Sequence, residues 1–121
     1  MAKYQDVERT SGLDYSTLRA EYADLERPVI LTDLAADWPA VTRWTPEFFC
    51  RRYGSQRVPI YDEGFAARGG AYLGPSEWMA FGSYIELIQS EPTNKRLFLF
   101  DLFRMAPELR RDVVLPEFVD L

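Results

Sequence analysis

The chain has 121 residues, a net charge of −5 and a pI near 4.7. That length suits one small domain, and 47% hydrophobic with 15% aromatic residues provides for a real core and excludes a disordered chain. The acidic balance excludes nucleic acid or an anionic membrane as the main partner, because both require a basic face. No apolar run approaches the ~20 residues that span a bilayer, and the N-terminus has no apolar signal core. A cytoplasmic location is therefore expected.

There is one cysteine, Cys50, and no histidine. No intrachain disulfide is available. Histidine triads, histidine general bases and imidazole-bound zinc or iron are all removed. Only an all-oxygen site for a hard cation remains open in principle.

Residues 1–13 are polar and read as a flexible lead-in. Asp14 can cap a helix over about 15–26, with Tyr15, Leu18, Tyr22 and Leu25 forming one apolar stripe. Pro28 biases Arg27 out of the helical region and ends it. Val29 to Thr32 then predict a strand, at about 28–32, apolar enough to be buried on both faces. Asp33 to Ala40 turn the chain, and Asp33 and Asp37 read as turn and capping residues rather than metal ligands.

Thr45, Pro46 and Glu47 predict a capped helix over about 46–53, with Pro at its first position and an acid in its first turn. Trp44 before the cap can staple onto Phe49, and Gly54 supplies a stop. Cys50 reads as a small packing residue. The pairs Arg51-Arg52 and Arg110-Arg111 read as solvated helix faces.

A second strand is predicted at about 57–61, where Pro59 indicates an edge or a bulge. Asp62 to Pro75, with Gly64, Gly69, Gly70 and Gly74, predict a long mobile loop whose glycines do not match a phosphate fingerprint. Phe81, Tyr84, Ile85 and Ile88 predict a helix over 81–90, with Trp78 to Ala80 extended before it. Leu97 to Phe100 predict a buried strand, at about 96–100, and Pro107 opens a short helix. The expected fold is α+β, with one small sheet of about three strands and about three to four helices.

This order of motifs resembles the N-terminal part of JmjC/cupin-like proteins. The segments that carry the resemblance are Arg27 to Thr32, Asp37-Trp38-Pro39-Ala40, Trp44-Thr45-Pro46-Glu47, Val58 to Tyr61, Met79 to Ile85, Leu97 to Asp101, and Pro107 to Asp112 followed by Pro116-Glu117-Phe118. Each is weak alone, and their common order gives them weight. The resemblance implies the N-terminal portion of a β-helix (jelly-roll) fold over residues 14–121, without the metal-binding core. It also implies Fe(II)- and 2-oxoglutarate-dependent hydroxylase-type chemistry in a complete member. The family's His-x-Asp/Glu…His triad cannot be placed here, so no catalytic residue, metal ligand or resident cofactor is assigned to this chain. Where the family often presents a tyrosine to the co-substrate, this sequence has Phe98, which can form a pocket wall only if the remaining half is present.

The leading expectation is thus the N-terminal portion of a truncated or split oxygenase-type domain, with a C-terminal β-helix half or a second copy as partner and no nucleic acid or membrane. The alternative is a stand-alone, non-catalytic protein-interaction module. A third reading, an unrelated enzyme with a carboxylate-only metal site, requires Asp62, Glu63 and another carboxylate to converge.

Overall fold

In the computed structural model the described residues are 3–66 and 74–116, with side chains left aside at 65 and 66. Gly69 and Gly70 of the long loop and the Glu117-Phe118 pair lie outside them. The protein is α+β, with two small sheets, and divides into two compact units: residues 1–42 with 109–121, and residues 43–108.

In the first unit, strand β1 (Glu8–Thr10) pairs in parallel with β2 (Val29–Leu31), Arg9 standing opposite Ile30. Thr32 N–H extends the ladder by donating to the Thr10 carbonyl at 2.9 Å. The lead-in therefore contains a strand, and Asp33 ties it down by accepting a hydrogen bond from Gly12 N–H at 2.7 Å. Residue β2 Ile30 is 37% exposed, so the expectation of a strand buried on both faces is corrected. A two-stranded sheet covers less of a strand than the three-stranded one expected.

Helix α1 (Tyr15–Leu18) starts as predicted, with the Asp14 carboxylate accepting from Thr17 N–H at 2.7 Å. That bond comes first among the causes that hold the Asp14 carboxyl below its ordinary value. The helix then widens into a π-helical segment, Arg19–Ala23, and ends before Glu26, whose φ is +53°. Only Tyr22 of the predicted stripe is buried, while Tyr15 and Leu25 are exposed. The wider π turn breaks the 3.6-residue spacing on which the stripe was drawn. The Trp-Pro corner, read as a turn, begins a short helix α2 (Pro39–Arg43).

The second unit contains the better-formed core. Helix α3 (Pro46–Tyr53) has the predicted cap: the Thr45 hydroxyl accepts from Phe48 N–H at 3.1 Å. Trp44 meets Phe49 edge-on with ring centroids 5.7 Å apart, which is the predicted staple. Strand β3 (Arg57–Tyr61) lies between β4 (Glu77–Ala80) and β5 (Arg96–Leu97), antiparallel to both. Helix α4 covers Phe81–Ser90, as predicted, and buries Phe81, Tyr84 and Ile85. Ile88, the last residue of that pattern, is exposed. Val58, Ile60 and Tyr61 are buried with them. A short helix α5 (Leu102–Met105), capped by Asp101, was not predicted. The short helix expected from Pro107 is present as a 3-10 helix, Pro107–Asp112.

Two expectations about the sheet are corrected. The strands near 28–32, 57–61 and 96–100 do not share one sheet, because β2 pairs with β1 and β3 pairs with β4. Pro59 lies on a central strand rather than an edge. Its place has a local explanation. Phe81 N–H donates to the Gln56 carbonyl at 2.8 Å, which makes that level a hydrogen-bonded one. Alternation then puts Pro59, opposite Trp78, on a level between hydrogen-bonded pairs. The Pro59 nitrogen points away from β4, toward the side on which β5 pairs only Ile60 and Tyr61. No ladder bond is lost there.

Candidate functional site

The candidate site is built around the end of β5, in the second unit. The Tyr84 side chain on α4 holds this strand: its hydroxyl accepts from Leu97 N–H at 3.1 Å and donates to the Lys95 carbonyl at 3.4 Å. Lys95 Nζ also pairs with Glu77 Oε1 at 2.5 Å. The strand is only two residues long. Phe98 follows it, and Leu99 adopts a φ of +52°, a left-handed conformation that leucine rarely occupies. The expectation of a buried strand through Phe100 is therefore corrected. The reversal at Leu99 takes the backbone out of the ladder despite four apolar residues in succession.

Phe98 is 48% exposed and Leu99 is 58% exposed. The Phe98 ring stands edge-on to Tyr61, with centroids 5.4 Å apart and planes at 89°. Phe100 turns back to meet Phe81 at 5.9 Å. Phe98 itself offers an apolar wall without a donor. A phenol stands beside it nonetheless, on Tyr61 of β3. Sequence reading placed Tyr61 in a strand without connecting it to Phe98. Their adjacency depends on the pairing of Tyr61 with Arg96, which local sequence does not state.

Elsewhere in the same unit Phe103, Trp44, Phe49, Phe81 and Phe100 form a continuous series of ring contacts. The Tyr53 hydroxyl donates to Glu108 Oε1 at 2.6 Å. Burial first, and then this carboxylate, push the Tyr53 phenol above its ordinary value. In the first unit burial, followed by Glu8, raises Tyr22 in the same way. The indole nitrogen of Trp38 is buried without a hydrogen-bond partner among the described residues.

The residues present do not fit an iron centre of the kind the resemblance implies. Such a centre requires two imidazoles, and the sequence has none. Among the described residues no three His, Cys, Asp or Glu side chains group so as to hold a metal. Among the described residues, Asp62 and Glu63 do not converge with a third carboxylate. Asp62 Oδ1 accepts from Gly64 N–H at 2.8 Å, and Glu63 Oε1 accepts from the Asn94 amide at 3.0 Å. Cys50 Sγ lies 3.9 Å from the Gly82 carbonyl, in a packing position. No helix among the described residues is long and apolar enough to cross a membrane.

No family model matches the chain. Three curated proteins do. Lysine-specific demethylase JMJ21 of Arabidopsis thaliana is 30% identical over 113 residues, which is 92% of this chain and 11% of that protein. Lysine-specific demethylase JMJ30 of the same plant is 29% identical over 123 residues, 93% of this chain and 27% of the relative. Lysine-specific demethylase 8 of Xenopus tropicalis is 26% identical over 106 residues, 83% of this chain and 22% of the relative. The chain thus spans between 11% and 27% of the length of these relatives. Over most of its own length, this chain is similar in sequence to three lysine-specific demethylases.

Proposed function

We propose that this chain is the N-terminal portion of a JmjC/cupin-like hydroxylase-type protein and that it is not catalytic alone. The observation that supports this most is the match over 92% of the chain to only 11% of a demethylase, in a sequence without histidine. Iron and 2-oxoglutarate would be held by residues outside this chain. Its own contribution would be a scaffold: the α3–α4 aromatic core supports β3 and β5, and these present Tyr61 and Phe98 to the remaining half. Phe98 would then be an apolar wall of the co-substrate pocket. The partner would be a C-terminal β-helix half, on the same polypeptide or a separate one, or a second copy of the chain.

The test is the coding sequence that follows Leu121. A Gly-Thr/Ser-rich strand followed by His-x-Asp is expected there or in an adjacent frame, and its absence from both would refute the reading. The chain alone should neither bind iron stoichiometrically nor decarboxylate 2-oxoglutarate, because carboxylates without imidazole favour hard cations. Stoichiometric iron binding with turnover would overturn the assignment.

The other reading, a stand-alone interaction module, draws support from Trp78 and Phe98, two aromatic residues that are 56% and 48% exposed. Absence of any downstream core, together with a monomeric chain, would favour it.

A further inference from the structure

The segment after β5 holds an exchange of side chains between the two faces of its sheet. Met79 stands opposite Val58, and Phe81 keeps the same face two residues on. Leu97 stands opposite Ile60 and shares that face, where Val58 and Ile60 are buried. Regular alternation would return Leu99 to this face and send Phe100 to the other. The structure does the reverse. Phe100 meets Phe81, with ring centroids 5.9 Å apart, and Leu99 is 58% exposed. The φ of +52° at Leu99 produces the exchange, because one left-handed residue shifts the alternation by one.

Placing the larger ring in the core explains why the chain reverses here. It does not explain a leucine at the reversal. Glycine adopts this conformation freely, whereas a side chain at positive φ lowers the population of the form that holds it by about tenfold. Leu99 is more than half exposed in that form, so its apolar side chain buries little there. It suits an extended form instead. Continued along β3, the β5 register brings Phe98, Leu99 and Phe100 opposite Pro59, Val58 and Arg57 in turn. Leu99 then lies beside the buried Val58. The Arg57 backbone faces the same side as that of Pro59, so Arg57 and Phe100 can exchange two hydrogen bonds. Pro59 can accept a third from Phe98 N–H but has no N–H to donate in return. Two contacts oppose the extended form. One is Phe100 against Phe81. The other is the Asp101 carboxylate, which anchors α5 by accepting from Phe103 N–H at 3.0 Å and Arg104 N–H at 3.1 Å.

We propose that Leu97–Phe100 is a two-state strap. It exchanges between the observed reversal, with Phe100 in the core, and a strand extended along β3, with Leu99 in its place. Pro59 keeps the extended form the minor one by withholding a donor, and the start of α5 is released when that form appears. The device lies within the second unit and does not depend on the oxygenase reading.

The test is relaxation-dispersion and saturation-transfer NMR on the full chain. The parent should show exchange to one minor state, centred on residues 97–104 and the Val58 methyl groups. Pro59→Val supplies the missing donor and should raise the minor population several-fold. Overhauser contacts between the Leu99 and Val58 methyl groups should then appear. Leu99→Gly relieves the left-handed strain and should lower the minor population about tenfold. That variant favours the observed conformation, so it reads the strap independently of any disturbance that Pro59→Val brings to the sheet. Flat dispersion over residues 97–104 in the parent would overturn the proposal. So would an undiminished minor population in Leu99→Gly, or a folded Pro59→Val that keeps Phe100 on Phe81 without any contact between Leu99 and Val58.

Discussion

The backbone N–H of Gly82 donates to the Gly54 carbonyl at 3.0 Å, so the start of α4 lies directly against the end of α3. A Cβ at Gly82 would come within 3.2 Å of the Gly54 Cα, closer than most such contacts allow. One at Gly54 would overlap the Cys50 carbonyl oxygen. Neither glycine has a positive φ among the described residues, and proximity is the reason for both.

Gly82→Ala therefore sets two effects against each other. Alanine favours the helix by about 0.8–1 kcal/mol, while forcing backbone apart in a packed contact costs about 1–3 kcal/mol. Net destabilisation by about 1 kcal/mol is expected in urea unfolding. A more stable variant would mean that the two helices separate without cost.

Trp44→Ala should be among the more damaging single changes. Removing a buried indole costs about 3–5 kcal/mol. Trp44 is half-buried, against Phe49 at 5.7 Å and Phe103 at 6.4 Å, so the lower end of that range is expected. Trp44→Phe should recover part of it. The check is the thermal midpoint, and an unchanged midpoint in Trp44→Ala would remove the staple from the account of stability.

Tyr53 makes an alkaline prediction. Its phenol is raised above the ordinary value, first by burial and then by Glu108. The folded state therefore holds the proton more tightly than the unfolded state does. The resulting stability is fully present below the unfolded phenol value, near 10.0, and is lost as pH rises through the folded value. Tyr53→Phe should cost about 1 kcal/mol at neutral pH through the lost hydrogen bond. It should also flatten the alkaline loss of stability without abolishing it, because Tyr22 is raised too. Urea titrations repeated across alkaline pH measure both effects. An unchanged alkaline slope would mean that Tyr53 does not titrate with unfolding.

Association is the fourth expectation. Trp78, Ile88, Phe98 and Leu99 are large apolar residues exposed within one unit. If they form a patch larger than the few hundred Å² usual for monomers, the chain should self-associate or require a further segment for solubility. Size-exclusion with light scattering over a dilution series reads this directly. A clean monomer at every concentration, without binding of an apolar dye, favours the self-contained module over the oxygenase portion.

Much of the second unit was legible because its signals are local. Thr45, Pro46 and Glu47 define the start of α3 through one side-chain hydrogen bond and a fixed φ. Phe81, Tyr84 and Ile85 define the buried face of α4. Strand partnership was not legible. Glu8-Arg9-Thr10 carries no apolar signal, and its strand exists through backbone pairing with residues about twenty positions later. Val29 to Leu31 and Leu97 to Phe100 showed the opposite failure, since apolar character predicted burial that the small sheets do not provide. At the candidate site, Phe98 was identified through its resemblance-bearing segment, while Tyr61 beside it required the β3–β5 register.

The orientation of Pro59 has a consequence for how this protein meets other chains. Beside it β3 has a flank without a strand partner among the described residues, since β5 ends its pairing at Ile60. Such a flank ordinarily serves as a template on which a foreign strand can lay down a continuous ladder, the first step of fibrillar growth. Here the pyrrolidine ring takes the place of the N–H that the incoming strand would seek. The template is interrupted at its middle, so association there must proceed through complementary side chains, and indiscriminate backbone zippering is disfavoured.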